Sequence, residues 1–260
     1  MSNKLVDYES PEKEVLLEVF EKMPMMDNWI ASVIENYIYS YVREYYEGGS
    51  LKLEYKTKYG LKDGEAISYY PNGQLQNKYF FIEDKLEGEG IEWYEDGILC
   101  VKSYYKEHKL DGEFTTYYYY NGNIRTRKFF TEDKLQGEYK EWYHDENLKI
   151  ECFYKDDKLN GEYKYWHSNG ELMICKFFTK DKLQGDYKSW YNNGQLEIQT
   201  TYIDGNLHGE YKKWHSNGKI FEQTTYINGK EHGEYKEWDY EGELINQFTY
   251  VDGSIVEVYL

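Results

Sequence analysis

At eight places in this 260-residue chain, spaced by 24 or 25 residues, a carboxylate follows a glycine: Glu65, Glu89, Glu113, Glu138, Glu162, Asp186, Glu210 and Glu234. A pair of carboxylates can divide acid and base roles, but only in a concave, water-poor pocket that shifts one pKa. Here the group recurs along the chain, and in the last five cases a lysine follows two residues later, as Lys140 follows Glu138. That pattern reads as a solvated ladder of opposite charges. His208 and His232 occupy equivalent places, which adjacent hairpins would hold about 10 Å apart. No third ligand column joins them, so the spacing does not make a metal site. His167 and His215 stand further apart again. "GEG" at 88–90 precedes no strand-to-helix turn of the kind that cradles phosphate. Cys100, Cys152 and Cys175 share no metal-ligand spacing, and an odd count reads as reduced thiols. The expectation is therefore no catalytic residue, no metal and no cofactor.

What positions these residues is a repeat. Gly64, Gly88, Gly112, Gly137, Gly161, Gly185, Gly209 and Gly233 follow one another at intervals of 24 residues, with a single interval of 25 where "YYYYNGN" (117–123) lengthens a loop. Five residues after each glycine stands Tyr69, Trp93, Tyr117, Trp142, Trp166, Trp190, Trp214 or Trp238. Eleven after it, allowing for the longer loop, comes a leucine or isoleucine such as Leu172 or Leu196, and seventeen after it an aromatic such as Phe178 or Tyr202. These three columns differ by even numbers, the period of one face of a strand. Turn signals within every unit and segments such as "KFF" and "TTY" exclude a helical unit.

Each unit therefore reads as a β-hairpin. "PNG" at 71–73 selects the turn, because a two-residue Asn-Gly turn would place Pro71 in the ladder without a donor. A three-residue loop, type I followed by a left-handed glycine, puts Pro71 where proline is favoured. Turns such as "IDGN" and "INGK" join one hairpin to the next. From the leucine after that turn to the next tryptophan the spacing is odd, so a bend or bulge at the glycine of "GEY" is expected to restore the face. The fold class expected is mainly β, an elongated single-layer antiparallel meander of about eight hairpin repeats over residues 45–260. About 17 strands at about 4.8 Å each would extend roughly 80 Å. The tryptophan, leucine and position-seventeen aromatic columns are expected to form its core face.

"GEYKEWY" (137–143), "NGQL" (72–75) and "YINGKEHGEY" (226–235) resemble the variant MORN repeat, and the resemblance covers residues 45–253. The family occurs in bacterial antitoxin-like proteins and is expanded in giant DNA viruses of amoebae. The resemblance implies a non-enzymatic β-hairpin scaffold. The remainder, 1–44, is not MORN-like. Pro11 follows the N-cap candidate Ser10, and Val15, Leu16, Val19, Phe20 and Met23 make one apolar stripe. Trp29, Ile30, Val33, Ile34, Tyr37 and Ile38 make a second, so a helical hairpin capping the first strands is expected. An adaptor resembling a short F-box, without its usual "LP" start, and a dimerisation segment are the alternatives.

Charge and composition narrow the partner. A net charge of −17 repels nucleic acid and anionic lipid, and the mean hydropathy of −0.92 leaves no apolar run fit to span a membrane. The first apolar stretch is broken by Glu and Lys, unlike a secretion signal, so a cytoplasmic location is expected, in the host if the source is viral. A second aromatic stripe, opposite the tryptophan columns, is the expected protein-binding surface: Tyr139, Tyr143, Phe153, Tyr163, His167, Phe177, Tyr187 and Tyr191. The leading expectation is a scaffold for an unidentified protein partner; the alternatives are an antitoxin-like protein that neutralises one toxin, and a lipid-associated MORN protein. At the other end "SIVEVYL" (254–260) is expected to form a closing strand, as a lid on the core face or as the edge of a homodimer, with Glu231 and Glu257 favouring the lid. Small-angle scattering tests the elongated array: the radius of gyration should lie well above the roughly 18 Å of a compact globule this size, and a compact value would contradict it.

Overall fold

The structure, a computed structural model, describes residues 38–259. Nearly all of the expected helical cap, residues 1–37, lies outside them. The sheet begins at Tyr39–Tyr45, which pairs antiparallel with Leu51–Lys58. Among the described residues 23 strands form one open antiparallel sheet, in which successive long strands pair along the chain. Four of the 23 are two-residue pieces, such as Asn206–Leu207, set off from the strand that continues them by the glycine bulge. The last strand, Ser254–Val258, pairs with Leu244–Val251 and leaves Ile255, Val256 and Val258 exposed. It extends the sheet and does not fold over a face.

The hairpin turns follow from the residues that sit in them. In the first unit Gly73 N–H donates to Tyr70 O at 2.9 Å with Gly73 at φ 85°, so Pro71 occupies the second position of a type I turn closed by a left-handed glycine. The turns between units are two-residue turns with both residues left-handed, as at Asp156 (φ 50°) and Asp157 (φ 64°). Asp157 also clasps the preceding unit. Its N–H donates to Leu135 O at 3.1 Å and its carboxylate accepts from Leu135 N–H at 2.7 Å.

Two irregularities set the faces. At each glycine the strand takes up extra residues: Phe178 pairs with Leu183 and Lys176 with Tyr187, so residues 184–186 stand opposite Phe177 alone; a gain of two keeps the alternation, and Leu183 stays on the face of Phe178 instead of joining Trp190 as expected. The second lies near the hairpin tip. Trp190 pairs with Leu196 but Ser189 pairs with Ile198, which leaves Glu197 as the extra residue of a bulge. Its side chain turns to the face of Ser189, whose hydroxyl donates to Glu197 at 3.2 Å; Lys149 reaches Glu141 in the same way at 2.7 Å. The bulge absorbs one step of the alternation. Tryptophan and its leucine therefore share a face, but the position-seventeen aromatic stands on the other one. This corrects the expectation of a single tryptophan–leucine–aromatic core face, because even spacing in sequence equals a shared face only in an unbulged strand. The two sides are called here the tryptophan face and the tyrosine face.

The tightest packing is on the tyrosine face. Two residues after the glycine, Tyr139, Tyr163, Tyr187 and Tyr211 meet the position-seventeen rings Tyr154, Phe178, Tyr202 and Tyr226 edge-on, with centroids 5.9, 6.0, 5.8 and 5.7 Å apart. Such pairs contribute about 0.5–1.5 kcal/mol each beyond area burial. Beside them, fifteen after the glycine, Cys152, Thr200 and Thr224 are buried to 1%, 3% and 1% exposure although no second layer of the described residues covers the sheet. Ala66 and Cys152 are the only buried apolar side chains among the described residues. The rings themselves roof the small residues.

The register lays positions two and fifteen in one row across the strands, as in Tyr163, Lys176, Tyr187 and Thr200. Ring and smaller or linear side chain alternate along it, and where the order is exchanged the neighbours compensate. Ala66 stands where other units carry the tyrosine, and Tyr79 fills position fifteen beside it. Next along the row Gly90 replaces the tyrosine. A Cβ there would lie 2.6 Å from Tyr79 Cε1 and 2.9 Å from Ser103 Oγ. The Tyr79 ring occupies that space, packs edge-on against Tyr105 at 6.0 Å and donates its hydroxyl to Glu92. Gly90→Tyr should therefore lower stability by about 1–3 kcal/mol through overpacking. Tyr79→Ser combined with Gly90→Tyr recreates the order of Tyr187 and Thr200 and should recover most of that loss in urea unfolding. Additive losses in the double variant would contradict the shared ring site.

Candidate functional site

The carboxylate column lies on the tryptophan face, and six of its eight members are ion-paired. Lys78 Nζ is 2.6 Å from Glu65, Lys102 is 2.6 Å from Glu89, Lys140 lies between Glu138 (2.7 Å) and Glu151 (3.0 Å), and Lys164 is 2.6 Å from Glu162. The hydrogen bond from Lys102 holds Glu89 below the ordinary carboxylate range, as Lys236 does Glu234. A general acid needs the opposite shift. Solvated pairs of this kind contribute little to stability. Across from these carboxylates, sixteen residues after the glycine, Phe80, Phe153 and Phe177 are 41%, 40% and 40% exposed. In the last three units Thr201, Thr225 and Thr249 take their place.

The eight aromatic and histidine residues singled out as a binding stripe do not share one face. Phe153 and Phe177 are on the tryptophan face. Tyr139, Tyr163 and Tyr187 are on the tyrosine face, where each is half-buried in its edge-on pair. Tyr143 and Tyr191 stand on that same face at the hairpin tips and join consecutive units: their hydroxyls donate to Trp166 O at 2.9 Å and Trp214 O at 2.7 Å. Tyr70 and Tyr118 make the same bond to Trp93 O and Trp142 O. His215 places Nε2 3.1 Å from Trp238 O, whereas His167 Nε2 is buried without a partner. Sequence reasoning separated Tyr139 from Tyr154 because it assumed unbroken alternation; the alternation of large and small side chains at positions two and fifteen was the signal that would have joined them.

The other chemical candidates gain no partners. His208 and His232 each hold a buried Nδ1 without a hydrogen bond, and Asp252 lies 3.8 Å from His232. Among the described residues no group of three or more His, Cys, Asp or Glu side chains is placed to hold a metal. Burial pushes the Cys152 thiol up to about 12, which makes it a poor nucleophile. The hollows are shallow. One of about 450 Å³ on the tryptophan face involves Glu65, Lys78, Phe80 and Glu89, and one of about 310 Å³ on the tyrosine face involves Tyr94, Cys100, Arg125, Tyr139 and Glu141.

One carboxylate departs upward. Glu222 pairs across the strands with Glu237 and on its other side with Lys213. Burial raises its pKa most; Lys213 lowers it, and Glu237 and Glu231 raise it further. The folded chain thus holds a proton in a window where the unfolded chain has released it. Stability falls as pH rises from the ordinary glutamate value through the raised one, and stays lower above it. Glu222→Gln should raise the urea midpoint at pH 7 and leave it unchanged at about pH 3.5, below both values. An equal midpoint at pH 7 would contradict the burial of this charge.

Known proteins place this architecture. The family model described as the MORN repeat variant matches residues 62–83, 86–107, 135–156, 159–180, 183–204, 207–228 and 231–252. The unmatched interval, 108–134, contains the lengthened loop. A search of curated proteins gives no match. Among solved structures the chain is similar to TcdB2-TccC3 without its hypervariable C-terminal region, at 12% identity and a TM-score of 0.22. The similarity spans 90% of this chain and 16% of that one. With seven matched copies, each on one hairpin of the sheet and together more than half of the chain, the chain belongs to the MORN repeat variant family.

Proposed function

We propose that this protein is a non-enzymatic scaffold that binds a protein partner, with the phenylalanine row of the tryptophan face as a docking surface. The observation that carries the reading is the exposure of Phe80, Phe153 and Phe177, 41%, 40% and 40%, on an open sheet. The rings recur at the unit spacing, each facing a carboxylate already paired with lysine. Partly exposed apolar rings rimmed by charge have the character of an interface centre. The carboxylates beside them are paired and, at Glu89, shifted downward, so the same surface offers no poised acid or base.

The full chain, immobilised and exposed to a lysate of its source cell, tests this. Phe153→Ser with Phe177→Ser should lower stability by about 0.5–3 kcal/mol and leave the sheet folded, since the rings are only partly covered. The same variant should weaken binding of the captured protein by about tenfold or more. Equal capture by parent and variant would overturn the assignment of this row.

A further inference from the structure

The second face of the sheet carries a different kind of information. The columns of the glycine, the carboxylate, the tryptophan, the leucine or isoleucine and the position-seventeen ring keep one chemical class in every unit. The column at the hairpin bulge does not: Gln76, Cys100, Arg125, Lys149, Met173, Glu197, Phe221 and Ile245 are eight different residue types in eight units. Loss of constraint does not account for this. Drift frees the most exposed positions first, yet the carboxylate column keeps its type in every unit while Glu65, Glu210 and Glu234 have side chains 52%, 54% and 53% exposed. The bulge residues are mostly half-buried, and Met173, Phe221 and Ile245 among them are apolar.

The structure sets this column beside two others that also vary. The bulge residue reaches the residue four after the glycine, through Ser68 and Gln76 at 3.4 Å, Lys149 and Glu141 at 2.7 Å, and Ser189 and Glu197 at 3.2 Å. The residue after the bulge pairs with that same position, as Ile150 does with Glu141 and Tyr165, and Ile174 with Tyr165 and Ser189. Together they form a band across the strands of the tyrosine face. On one side of it stand the edge-on tyrosines such as Tyr139 and Tyr187, and on the other the tip tyrosines such as Tyr143 and Tyr191. A uniform framework thus frames a row that differs at each step.

The row has a direction. At Arg125 it is basic, and among the described residues no carboxylate pairs with this guanidinium; the neighbouring Lys149 is neutralised by Glu141 at 2.7 Å. Ile150, Tyr165, Ile174 and Ile198 make the middle apolar. Beyond them Glu197, Glu222 and Glu237 outnumber Lys213, whose ammonium lies 5.3 Å from the Phe221 ring centre. From the strand of Arg125 to that of Glu222 is eight strand steps, about 38 Å at about 4.8 Å per strand.

We infer that this band is a recognition site for one linear polypeptide segment of a partner, apolar in its middle, acidic where it meets Arg125 and basic where it meets Glu197 and Glu222. An extended segment of about 12 residues spans it at about 3.3 Å per residue. The site is separate from the phenylalanine row and does not depend on it.

Selection of random twelve-residue peptides, displayed on phage, against the full chain tests the inference. Enriched peptides should share an apolar centre with an acid at one end and a base at the other. Binding of a synthetic copy should fall at least tenfold with Arg125→Glu and with Glu222→Lys, and a copy with its two charged ends exchanged should bind the Arg125→Glu, Glu222→Lys double variant. Phe153→Ser with Phe177→Ser should leave it unchanged. No enrichment, enriched peptides without this polarity, or affinity indifferent to Arg125 and Glu222 would overturn the inference. Peptides lost only with the phenylalanine variant would overturn it as well while leaving the docking row of the other face standing. Thermal unfolding of each charge variant at the parent temperature shows that the sheet is intact.

Discussion

The described residues form a one-layer sheet, and the edge-on ring pair is how that sheet builds an interior without a second layer among them. Tyr187 against Tyr202, with Thr200 beneath, buries a small side chain to 3% exposure on an otherwise open face. Every other constraint follows from that contact. Position fifteen is small where rings flank it on both sides, as at Cys152 and Thr224, or long and flexible, as at Lys176, whose ammonium lies 4.8 Å from the Tyr163 ring centre. The glycine lets the strand carry extra residues between Leu183, which pairs with Phe178, and Tyr187, which pairs with Lys176. Where the tyrosine is absent, at Ala66 and Gly90, Tyr79 supplies the ring from the adjoining strand.

The units are coupled by more than the strand ladder. Tip tyrosines donate to the tryptophan carbonyl of the next unit, and turn aspartates such as Asp157 clasp the backbone of the one before. Interactions of this kind are strictly nearest-neighbour, so the array should behave as a chain of similar units with local interfaces. They also explain why so many polar side chains recur: Tyr143, Tyr191 and Asp157 satisfy backbone groups that the sheet edge would otherwise leave to water.

Much of this was legible beforehand, and the limit has a physical cause. The unit length, the hairpins, the turn type fixed by Pro71 and an irregularity at the glycine all follow from local rules. The faces did not, because a bulge that recurs in every unit leaves the repeat length untouched and is invisible to period counting. Glu197 and its equivalents look like ordinary strand residues in sequence. The same bulge turned the most variable column toward the tyrosine face, so the stripe of eight candidate residues was divided: Phe153 and Phe177 on one side, the other six framing the variable band on the other. The exchange between Ala66 and Tyr79 was present in the sequence as a hint of which columns touch.

The central claim is that the tyrosine after the glycine, and not the tryptophan, shares a face with the position-seventeen ring. Nuclear Overhauser contacts between assigned aromatic side chains measure this directly. The account predicts ring-to-ring contacts between Tyr187 and Tyr202, whose centroids are 5.8 Å apart, and contacts from Trp190 to Leu196 but none to Tyr202. Contacts from Trp190 to Tyr202, with none between Tyr187 and Tyr202, would contradict it.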